Sequence, residues 1–354
     1  STGEPDLEVR AERYYGAVNA DIKVTRKLSL NMGTVYFTDR AKDLLDQEYF
    51  GENTFAMSNF AVFAQGLLRH RLANITAGFR FENNSKAGSA FVPRLALTRK
   101  IQNFHFKGLY SQSFRAPGIE NINISVDTIN QTISPEKSEV IELELGYQFT
   151  PEMLLTVNLF NIETRNVIVY STYIVNDSTY NQFYSNFDRS GTSGIEVLYS
   201  YRKKKWNTTL SYSHYIASKN NTVDSYEVEG KDDLFVGFPT HKLSMNNNIS
   251  IGSHLNLNAS IIYSSVRHAY TSIQDLEDDE YAPVLGTLEP YILGNVFLNC
   301  NNCFVEGLSA GVGVYDLFNE RPPIPQPYNG EYAPIPGLSR ELVVKLSYAL
   351  NFKE

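Results

Sequence analysis

The sequence predicts an all-β fold, an antiparallel up-and-down transmembrane β-barrel, and three observations support this prediction. Polar and apolar residues alternate with a period of two over most of the 354 residues, as they do when successive side chains of a strand point to opposite faces. The predicted strands have about ten residues or more, which is the length that crosses a bilayer. The connections between them alternate between short and long. In lipid, only a closed barrel satisfies every backbone group of a sheet.

The alternation is clearest at the end of the chain. Leu342, Val344 and Leu346 share one parity, and Lys345 and Ser347 occupy the other, so this segment has one apolar and one polar face. The same arrangement recurs at residues 73–82, 141–149, 243–251 and 308–314. No segment sustains a 3.6-residue period over three turns, and only residues 41–48 allow a short loop helix.

Following the period of two along the chain predicts about fifteen strands. In order, they cover residues 8–24, 27–38, 55–67, 71–82, 90–99, 103–113, 138–149, 152–169, 188–201, 205–217, 238–251, 254–268, 286–299, 303–317 and 338–352. A large soluble all-β protein is the alternative, but its strands would typically have about five or six residues. The strand lengths therefore favour the membrane barrel.

The connections carry a second signal, because their lengths alternate. The short ones lie at residues 25–27, 69–71, 100–103, 150–152, 202–205, 252–253 and 299–302. The long ones lie at residues 39–54, 83–89, 114–137, 170–187, 218–237, 269–285 and 318–337. An outer-membrane barrel has tight turns on its periplasmic side and extended loops on the external side, and a sandwich has no reason to separate them in this way.

Composition and motifs exclude several other classes of protein. No run approaches about eighteen consecutive apolar residues, which excludes transmembrane helices. A net charge of -8 without a large basic patch argues against nucleic acid as a partner. The sequence has no G-x-S-x-G, H-E-x-x-H or P-loop motif. An S-x-x-K spacing from Ser134 to Lys137 lacks its companion motifs, so the sequence predicts no enzyme and no catalytic residue.

Several short motifs resemble those of TonB-dependent outer-membrane receptors. The run Phe114-Arg115-Ala116-Pro117 resembles the FRAP signature of that family, and Pro135 opens the Pro-Glu-Lys segment that follows it after a loop. Further pieces fall in the family's order at residues 61–65, 78–82, 93–97, 158–161, 165–168, 194–196, 239–242, 314–319 and 336–340. Each piece is weak alone, but their order and spacing carry the resemblance over roughly residues 55–352.

The resemblance implies an integral, multi-pass β-barrel in the outer membrane of a Gram-negative bacterium. Members of the family carry a plug domain, a TonB box and a barrel of about 22 strands. Residues 1–354 correspond to the C-terminal part of such a barrel, about 15 strands of it, and neither the plug domain nor the first strands are visible in them. The implied partners are outer-membrane lipid, a plug domain or N-terminal strands on the same or another chain, and the TonB complex acting through the plug.

The same resemblance implies a transporter that imports a scarce, bulky nutrient, with a ferric siderophore as the default and cobalamin, glycan or peptide as other substrates. Haem is disfavoured, because haem receptors of this family keep a histidine in the loop after FRAP and residues 118–137 contain none. The alternative function is a plugless pore or a structural barrel subunit of an outer-membrane complex, completed by another chain.

Carboxylates and tyrosines in the long loops are the candidate ligand-binding residues. They are Asp275, Glu277, Asp278, Asp279, Glu280, Tyr173, Tyr184, Tyr270 and Tyr328. Clustered carboxylates suit calcium, but no D-x-D-x-D-G pattern is present, and a solvated acidic loop is the simpler interpretation. Tyrosines suit siderophores, glycans and peptides, or form the interfacial girdle of a barrel. The sequence predicts no other cofactor and no metal site.

Charged residues of inward parity are expected to pair inside the lumen. They are Arg80, Arg115, Glu142 and Glu144, with Glu82 as a further carboxylate and plug carboxylates as alternative partners. The basic run 202–205 is interpreted as a solvated periplasmic turn.

Two cysteines, Cys300 and Cys303, flank a predicted tight turn. A metal site would need two more ligands, and a redox C-x-x-C motif normally opens a helix. Because the periplasm is oxidising, a disulfide that closes the hairpin is favoured over free thiols.

Overall fold

The structure is a computed structural model, and it describes residues 8–45, 54–122, 133–176, 179–274, 281–303, 305–325 and 334–350. Nearly all of its regular structure is β. Within these residues, no helix is both long and apolar enough to cross a bilayer.

The described residues contain nineteen strands, which follow one another along the chain. In order, β1 to β19 are Val9–Lys23, Leu28–Asp43, Thr54–Arg69, Asn74–Asn84, Gly88–Ile101, Phe104–Arg115, Glu136–Thr150, Met153–Asn176, Thr179–Lys203, Trp206–Ala217, Glu227–Val228, Lys231–Phe235, His241–Ile251, Leu255–Ser264, Arg267–Gln274, Tyr281–Leu288, Tyr291–Cys300, Leu308–Tyr315 and Glu341–Tyr348. Fifteen of them form one sheet, and the other four form two separate hairpins, β11–β12 and β15–β16.

The fifteen-stranded sheet has the up-and-down topology that the sequence predicts. Its order is β1-β2-β3-β4-β5-β6-β7-β8-β9-β10-β13-β14-β17-β18-β19, and every neighbouring pair is antiparallel. The predicted number of strands is confirmed, and each predicted span overlaps the corresponding strand. The connections predicted as short lie at one edge of the sheet and those predicted as long at the other, which we call the long-loop edge. Two lengths differ from the prediction, because the β4–β5 connection at the long-loop edge is only residues 85–87 and the β17–β18 connection at the other edge extends over residues 301–307.

The two faces of the sheet differ as a membrane-spanning wall requires. On the outer face, Phe91, Leu143 and Leu346 are 57%, 60% and 73% exposed, and similar apolar residues recur at alternate positions of most strands. On the inner face the alternate positions are mainly polar, as Glu142 and Glu144 show in β7. Large apolar side chains without cover on one face are what a lipid-exposed surface needs.

The structure corrects three details of the loops. The predicted loop at 170–187 is mostly the upper part of the β8–β9 ladder, which continues to Asn176 and resumes at Thr179. The predicted loops at 218–237 and 269–285 contain the hairpins β11–β12 and β15–β16. Both hairpins are too short or too irregular to show a period of two.

The proposed loop helix at residues 41–48 is wrong in its described part. Ala41 and Asp43 continue β2 and pair with Ala11 and Val9 of β1. Both side chains are buried, and the Asp43 carboxylate accepts a hydrogen bond from the Leu45 backbone N–H at 2.9 Å. Cross-strand pairing therefore prevails over the local helix propensity of this segment, and residues 46–48 lie outside the described part of the chain.

Candidate functional site

A cavity of about 590 Å³ opens on the inner face of the sheet, near the edge that carries the long loops. Strands β7 to β10 form its wall, and the connection at residues 218–240 forms its cover. Aromatic side chains dominate the lining, together with the hydroxyls of Ser138, Thr164 and Ser190 and the carboxylate of Glu136. The aromatic residues are Phe160, Tyr215, Tyr226, Phe235 and Phe238.

The cover is held in place by a small apolar core. Val223, which is fully buried, packs with Val167 and Val169 of β8, and Phe187 and Tyr226 pack against this cluster. A 3-10 turn at Asp224–Tyr226 then leads into β11–β12. Burying a valine or aromatic side chain contributes about 1.5–3 kcal/mol each, so the cluster holds the connection against the wall.

Asn166 marks the point where β8 changes from barrel wall to loop support. Its backbone lies in the left-handed region, with φ of 53°, which asparagine tolerates better than most residues. Above it, Val167, Ile168 and Val169 are all buried, so both faces of the strand are covered there. The Asn186 side chain secures this point by donating to the Asn166 carbonyl at 2.8 Å.

Beside the cavity, Arg115 of the FRAP run pairs with Glu136, the residue directly opposite it on β7. The second oxygen of Glu136 accepts a hydrogen bond from the Ile168 backbone N–H at 2.7 Å. Both oxygens of the carboxylate are therefore engaged. Arg115 does not reach Glu142 or Glu144, which lie further down the same strand. The Arg115 guanidinium thus links β6 to β7 at the cavity rim, and the Glu136 carboxylate links β7 to β8.

The other inner-face residues that the sequence singles out form separate pairs. Arg80 lies 2.6 Å from Glu82, which also accepts a hydrogen bond from the Asn59 amide at 2.9 Å. A glutamate and arginine two residues apart on one strand can pair in this way because they share a face.

Glu142 and Glu144 pair with residues of β6 instead of with arginine. The Lys107 ammonium lies 3.6 Å from Glu142 and 4.0 Å from Glu144, and His105 Nε2 lies 3.3 Å from Glu144. The His105 ring covers Gly146, where a Cβ atom would lie only 1.7 Å from the ring. Glycine at this position is therefore required for the close approach of His105.

The loop tyrosines do not converge on one describable site. The Tyr184 ring in β9 packs at a tilt against Tyr170, with ring centroids 5.0 Å apart, and its hydroxyl donates a hydrogen bond to Glu120 at 3.3 Å. Tyr270 is half-buried in β15. Tyr173 lies in β8, but its side chain is outside the described part of the chain. Tyr328 and the acidic residues Asp275, Glu277, Asp278, Asp279 and Glu280 also lie outside the described residues.

A second run of carboxylates lies in the connection at residues 218–240, which the structure describes, and it offers little to a cation. It consists of Asp224, Glu227, Glu229, Asp232 and Asp233. Within the described residues, no group of three or more histidine, cysteine, aspartate or glutamate side chains is arranged to hold a metal ion. Glu227 instead accepts a hydrogen bond from the Asn221 amide at 2.8 Å. A bound calcium ion therefore remains a prediction about residues 275–280 alone.

The aromatic lining of the cavity was not predicted as a site. Its members come from β8, β10 and the connection at 218–240, so no spacing in the sequence unites them. One signal was available, since Val223, Tyr226, Phe235, Val236 and Phe238 give that connection more apolar residues than a solvated loop needs.

Two residues at the start of β15, Arg267 and His268, join three of the long connections, and we call them the loop clasp. Lys231 donates a hydrogen bond to His268 Nε2 at 3.1 Å, and the Gly237 backbone N–H donates to the His268 carbonyl at 2.6 Å. Arg267 donates to the Pro323 carbonyl at 3.1 Å. The connections at 218–240, 265–290 and 316–340 are therefore tied to one another.

The clasp is expected to loosen in acid. Burial, and then the charge of Lys231, lower the pKa of His268 from its ordinary value of 6.5. The unfolded chain therefore takes up a proton at a pH where the folded clasp does not, so the stabilisation is complete above pH 6.5 and decreases as the pH falls. Hydrogen exchange of residues 227–238 at about pH 7.5 and about pH 5.5 measures the effect.

The control for this prediction is His268→Gln, which keeps an acceptor for Lys231 but does not titrate. Exchange in this variant is expected to lose the acid-induced increase. An equal increase in the variant and in the wild type would show that another group is responsible.

At the opposite edge of the sheet, Cys300 and Cys303 lie close together at the β17–β18 turn, with their Cα atoms 5.7 Å apart. This separation lies in the ordinary range for a disulfide. The pair is far along the chain from the cavity residues and closes a local turn.

Comparison with known proteins identifies the family. The family model described as "TonB dependent receptor-like, beta-barrel" matches residues 2–317. A search of curated proteins gives no match. Among solved structures, the siderophore receptor PirA from Acinetobacter baumannii superposes with a TM-score of 0.71 at 17% identity, covering 96% of this chain and 55% of that one.

Two further structures give the same result. A mutant of the ferric enterobactin receptor PfeA from Pseudomonas aeruginosa has a TM-score of 0.73 at 14% identity, covering 96% of this chain and 54% of that one. The FrpB iron transporter from Neisseria meningitidis has a TM-score of 0.71 at 14% identity, covering 97% of this chain and 55% of that one. The chain thus spans about half the length of these structures, and at these identities the likeness shows the fold. The match to the family model covers most of the sequence, and the chain belongs to the TonB-dependent receptor-like β-barrel family.

Proposed function

We propose that this chain forms the barrel wall of an outer-membrane importer of a ferric siderophore, gated by a plug domain and driven through the TonB complex. Membership of the family supports the transport class. PirA is named a siderophore receptor, PfeA a ferric enterobactin receptor and FrpB an iron transporter, and these names support iron as the cargo. The location is the outer membrane of a Gram-negative bacterium.

The observation that carries the proposal is the aromatic cavity beneath the long connections. Its volume of about 590 Å³ lies within the range of about 300–1,000 Å³ that small-molecule sites occupy. Tyr215 and Tyr226 combine a ring face with a hydroxyl, and Phe160, Phe235 and Phe238 add apolar area. Such a lining suits an organic chelate that is partly apolar and partly hydrogen-bonding.

The charge of the long connections narrows the kind of chelate. Seven connections lie at this edge, and their sequences contain twenty acidic residues against six basic ones, at residues 44–53, 85–87, 116–135, 177–178, 218–240, 265–290 and 316–340. The basic residue beside the cavity, Arg115, is already paired with Glu136. An acidic mouth repels polyanions, admits neutral ligands without repulsion and attracts cationic ones, so we propose a neutral or cationic ferric complex over a triply anionic one.

Ligand binding by cavity variants tests the proposal. Phe235→Ala and Tyr226→Ala are each expected to weaken binding of a neutral ferric hydroxamate about tenfold, because each removes a large ring from the lining. Fluorescence quenching of the full-length protein in detergent measures the dissociation constant. The matched control is Phe91→Ala, which removes an equally large ring from the outer face, where Phe91 is 57% exposed.

The outcomes separate the hypotheses. Wild-type binding in both cavity variants would exclude the cavity as the ligand site. Tighter binding of a triply anionic ferric catecholate than of the neutral complex would exclude the proposed charge class. Ion conductance in the absence of TonB, without binding of any ferric complex, would favour a pore.

A further inference from the structure

Exposed cations are concentrated at the short-turn edge of the sheet, opposite the acidic loops. They occur in the β1–β2 and β3–β4 turns and at the β9–β10 turn, and we call the following set the basic rim: Arg26, Lys27, Arg71, Lys203, Lys204 and Lys205. All six side chains are exposed, and in the described part of the chain none of them lies within 4.0 Å of a carboxylate. Two short connections carry a carboxylate, at Glu152 and Glu306. The first lies beside the β9–β10 turn, where the Arg202 backbone N–H donates to the Glu152 carbonyl at 2.8 Å, and the Glu152 carboxylate accepts a hydrogen bond from the Thr150 hydroxyl at 2.9 Å.

Aromatic clusters on the outer face show the depth at which the rim lies. Trp206 follows the β9–β10 turn directly and packs edge-to-face with Tyr201 at 5.2 Å. On β6 and β7, Tyr147 contacts Phe104 at 4.6 Å and Phe149 at 4.8 Å. Tyrosine and tryptophan concentrate at the interface between membrane and water. The rim is therefore at the level of the lipid headgroups, immediately beyond this aromatic belt.

Lys203 connects the basic rim with the aromatic clusters of the outer face. It is the last residue of β9, and it pairs across the ladder with Trp206. It therefore shares the outer face with Trp206 and Tyr201. A long aliphatic stem allows lysine to lie along apolar surface while its ammonium reaches the headgroup level.

We propose that the basic rim binds the headgroups of anionic phospholipids in the leaflet that the short turns face. The proposal rests on the membrane location given above, and it is independent of the identity of the imported ligand. Phosphate groups are strong acceptors for lysine and arginine. Each cation near an anionic membrane surface increases binding about fivefold, and several cations at one edge act together. The rim would gather anionic lipid around the barrel and fix its depth in the bilayer.

Lipid enrichment around the protein tests this proposal. The full-length protein is reconstituted in nanodiscs containing phosphatidylglycerol and phosphatidylcholine, and the lipids retained after detergent extraction are quantified by mass spectrometry. The wild type is expected to retain phosphatidylglycerol about tenfold over its share of the mixture. The triple variant Lys203→Gln, Lys204→Gln, Lys205→Gln is expected to lose most of this enrichment. Salt should also reduce it, because the contacts are exposed.

Two control variants make the result specific. Arginine at the same three positions keeps the charge and is expected to keep the enrichment. Glutamine at Lys86, Lys219 and Arg340 removes three charges from the long-loop edge and is expected to leave the enrichment unchanged. Unchanged enrichment in the rim variant, or an equal loss in the long-loop variant, would overturn the proposal. The proposal would also be overturned if the detergent-solubilised protein bound inorganic phosphate as strongly as it binds phosphatidylglycerol, since the site would then not be specific for lipid.

The same samples separate this proposal from the proposed function. Ferric hydroxamate binding is measured on the rim variant, whose substituted residues lie at the opposite edge from the cavity. Lost lipid enrichment with unchanged ligand binding is the expected pattern. If neither the wild type nor the rim variant binds a ferric complex, the siderophore proposal fails, while the lipid result stands on its own.

Discussion

Replacing Leu143 by arginine is expected to lower the free energy of unfolding in a bilayer by about 2–4 kcal/mol. Leu143 lies at the centre of β7, 60% exposed on the outer face, with Leu159 opposite it on β8. Midway along the strand, an arginine side chain cannot reach either headgroup layer without deforming the bilayer. Urea unfolding of protein refolded into phosphatidylcholine vesicles, followed by tryptophan fluorescence, measures the change.

Leu338→Arg is the matched control for this prediction. Leu338 is 84% exposed, but it lies in the connection between β18 and β19, outside the strands. The same substitution there is expected to change the free energy of unfolding by no more than about 0.5 kcal/mol. Equal effects at Leu143 and Leu338 would mean that the outer face of β7 is in water, and the transmembrane assignment would have to be abandoned.

The barrel wall was predictable because its physics repeats at every strand. A lipid-facing residue such as Leu143 and a lumen-facing neighbour such as Glu142 must alternate, or the strand cannot lie between lipid and water. A shift of one residue would put every side chain on the wrong face. This constraint predicted the fifteen strands of the sheet and most of their boundaries within about four residues, but the ends of β8 and β9 beside the long loops extend seven and nine residues beyond the predicted spans.

The loop structures were not predictable by the same reasoning. β11 has only two residues, so a period of two cannot be recognised in it. β15–β16 is a hairpin with its own pairing, separate from the main sheet. In β8, the left-handed backbone of Asn166 ends the alternation, and three successive buried residues follow. In each case tertiary contacts with another connection decide the local structure.

The candidate site likewise has one part that follows from the sequence and one part that does not. The strand register places Arg115 opposite Glu136, and this pairing follows once the hairpin β6–β7 is known. The cover of the cavity does not follow, because Val223 finds Val167 and Val169 through a contact between segments more than fifty residues apart. Two of the four residues expected to pair in the lumen, Glu142 and Glu144, have Lys107 as their neighbour instead of arginine. Parity predicts which face a charge occupies, but it does not identify its partner.

Asp316 organises the start of the last connection, at residues 316–340. It belongs to the family-like motif at residues 314–319. Its side chain is buried, and its carboxylate accepts hydrogen bonds from the backbone N–H groups of Glu320 at 3.0 Å and Arg321 at 3.2 Å. Its own N–H donates to the Asn295 side chain at 3.0 Å. The Asn319 side chain then accepts from the Arg340 backbone N–H at 3.0 Å, which joins the two ends of the connection.

Asp316→Ala is therefore expected to lower the free energy of unfolding by about 2–3 kcal/mol, because two backbone N–H groups lose a charged acceptor. The backbone at Asp316 is left-handed, with φ of 49°, a conformation that alanine tolerates less well than aspartate or asparagine. Asp316→Asn keeps one carbonyl oxygen and this backbone preference, so its effect is expected to be about half as large. Urea unfolding in vesicles gives the totals, and hydrogen exchange at Glu320 and Arg321 locates the change. Equal effects of the two variants, or unchanged exchange at both amides, would show that the carboxylate does not hold this connection.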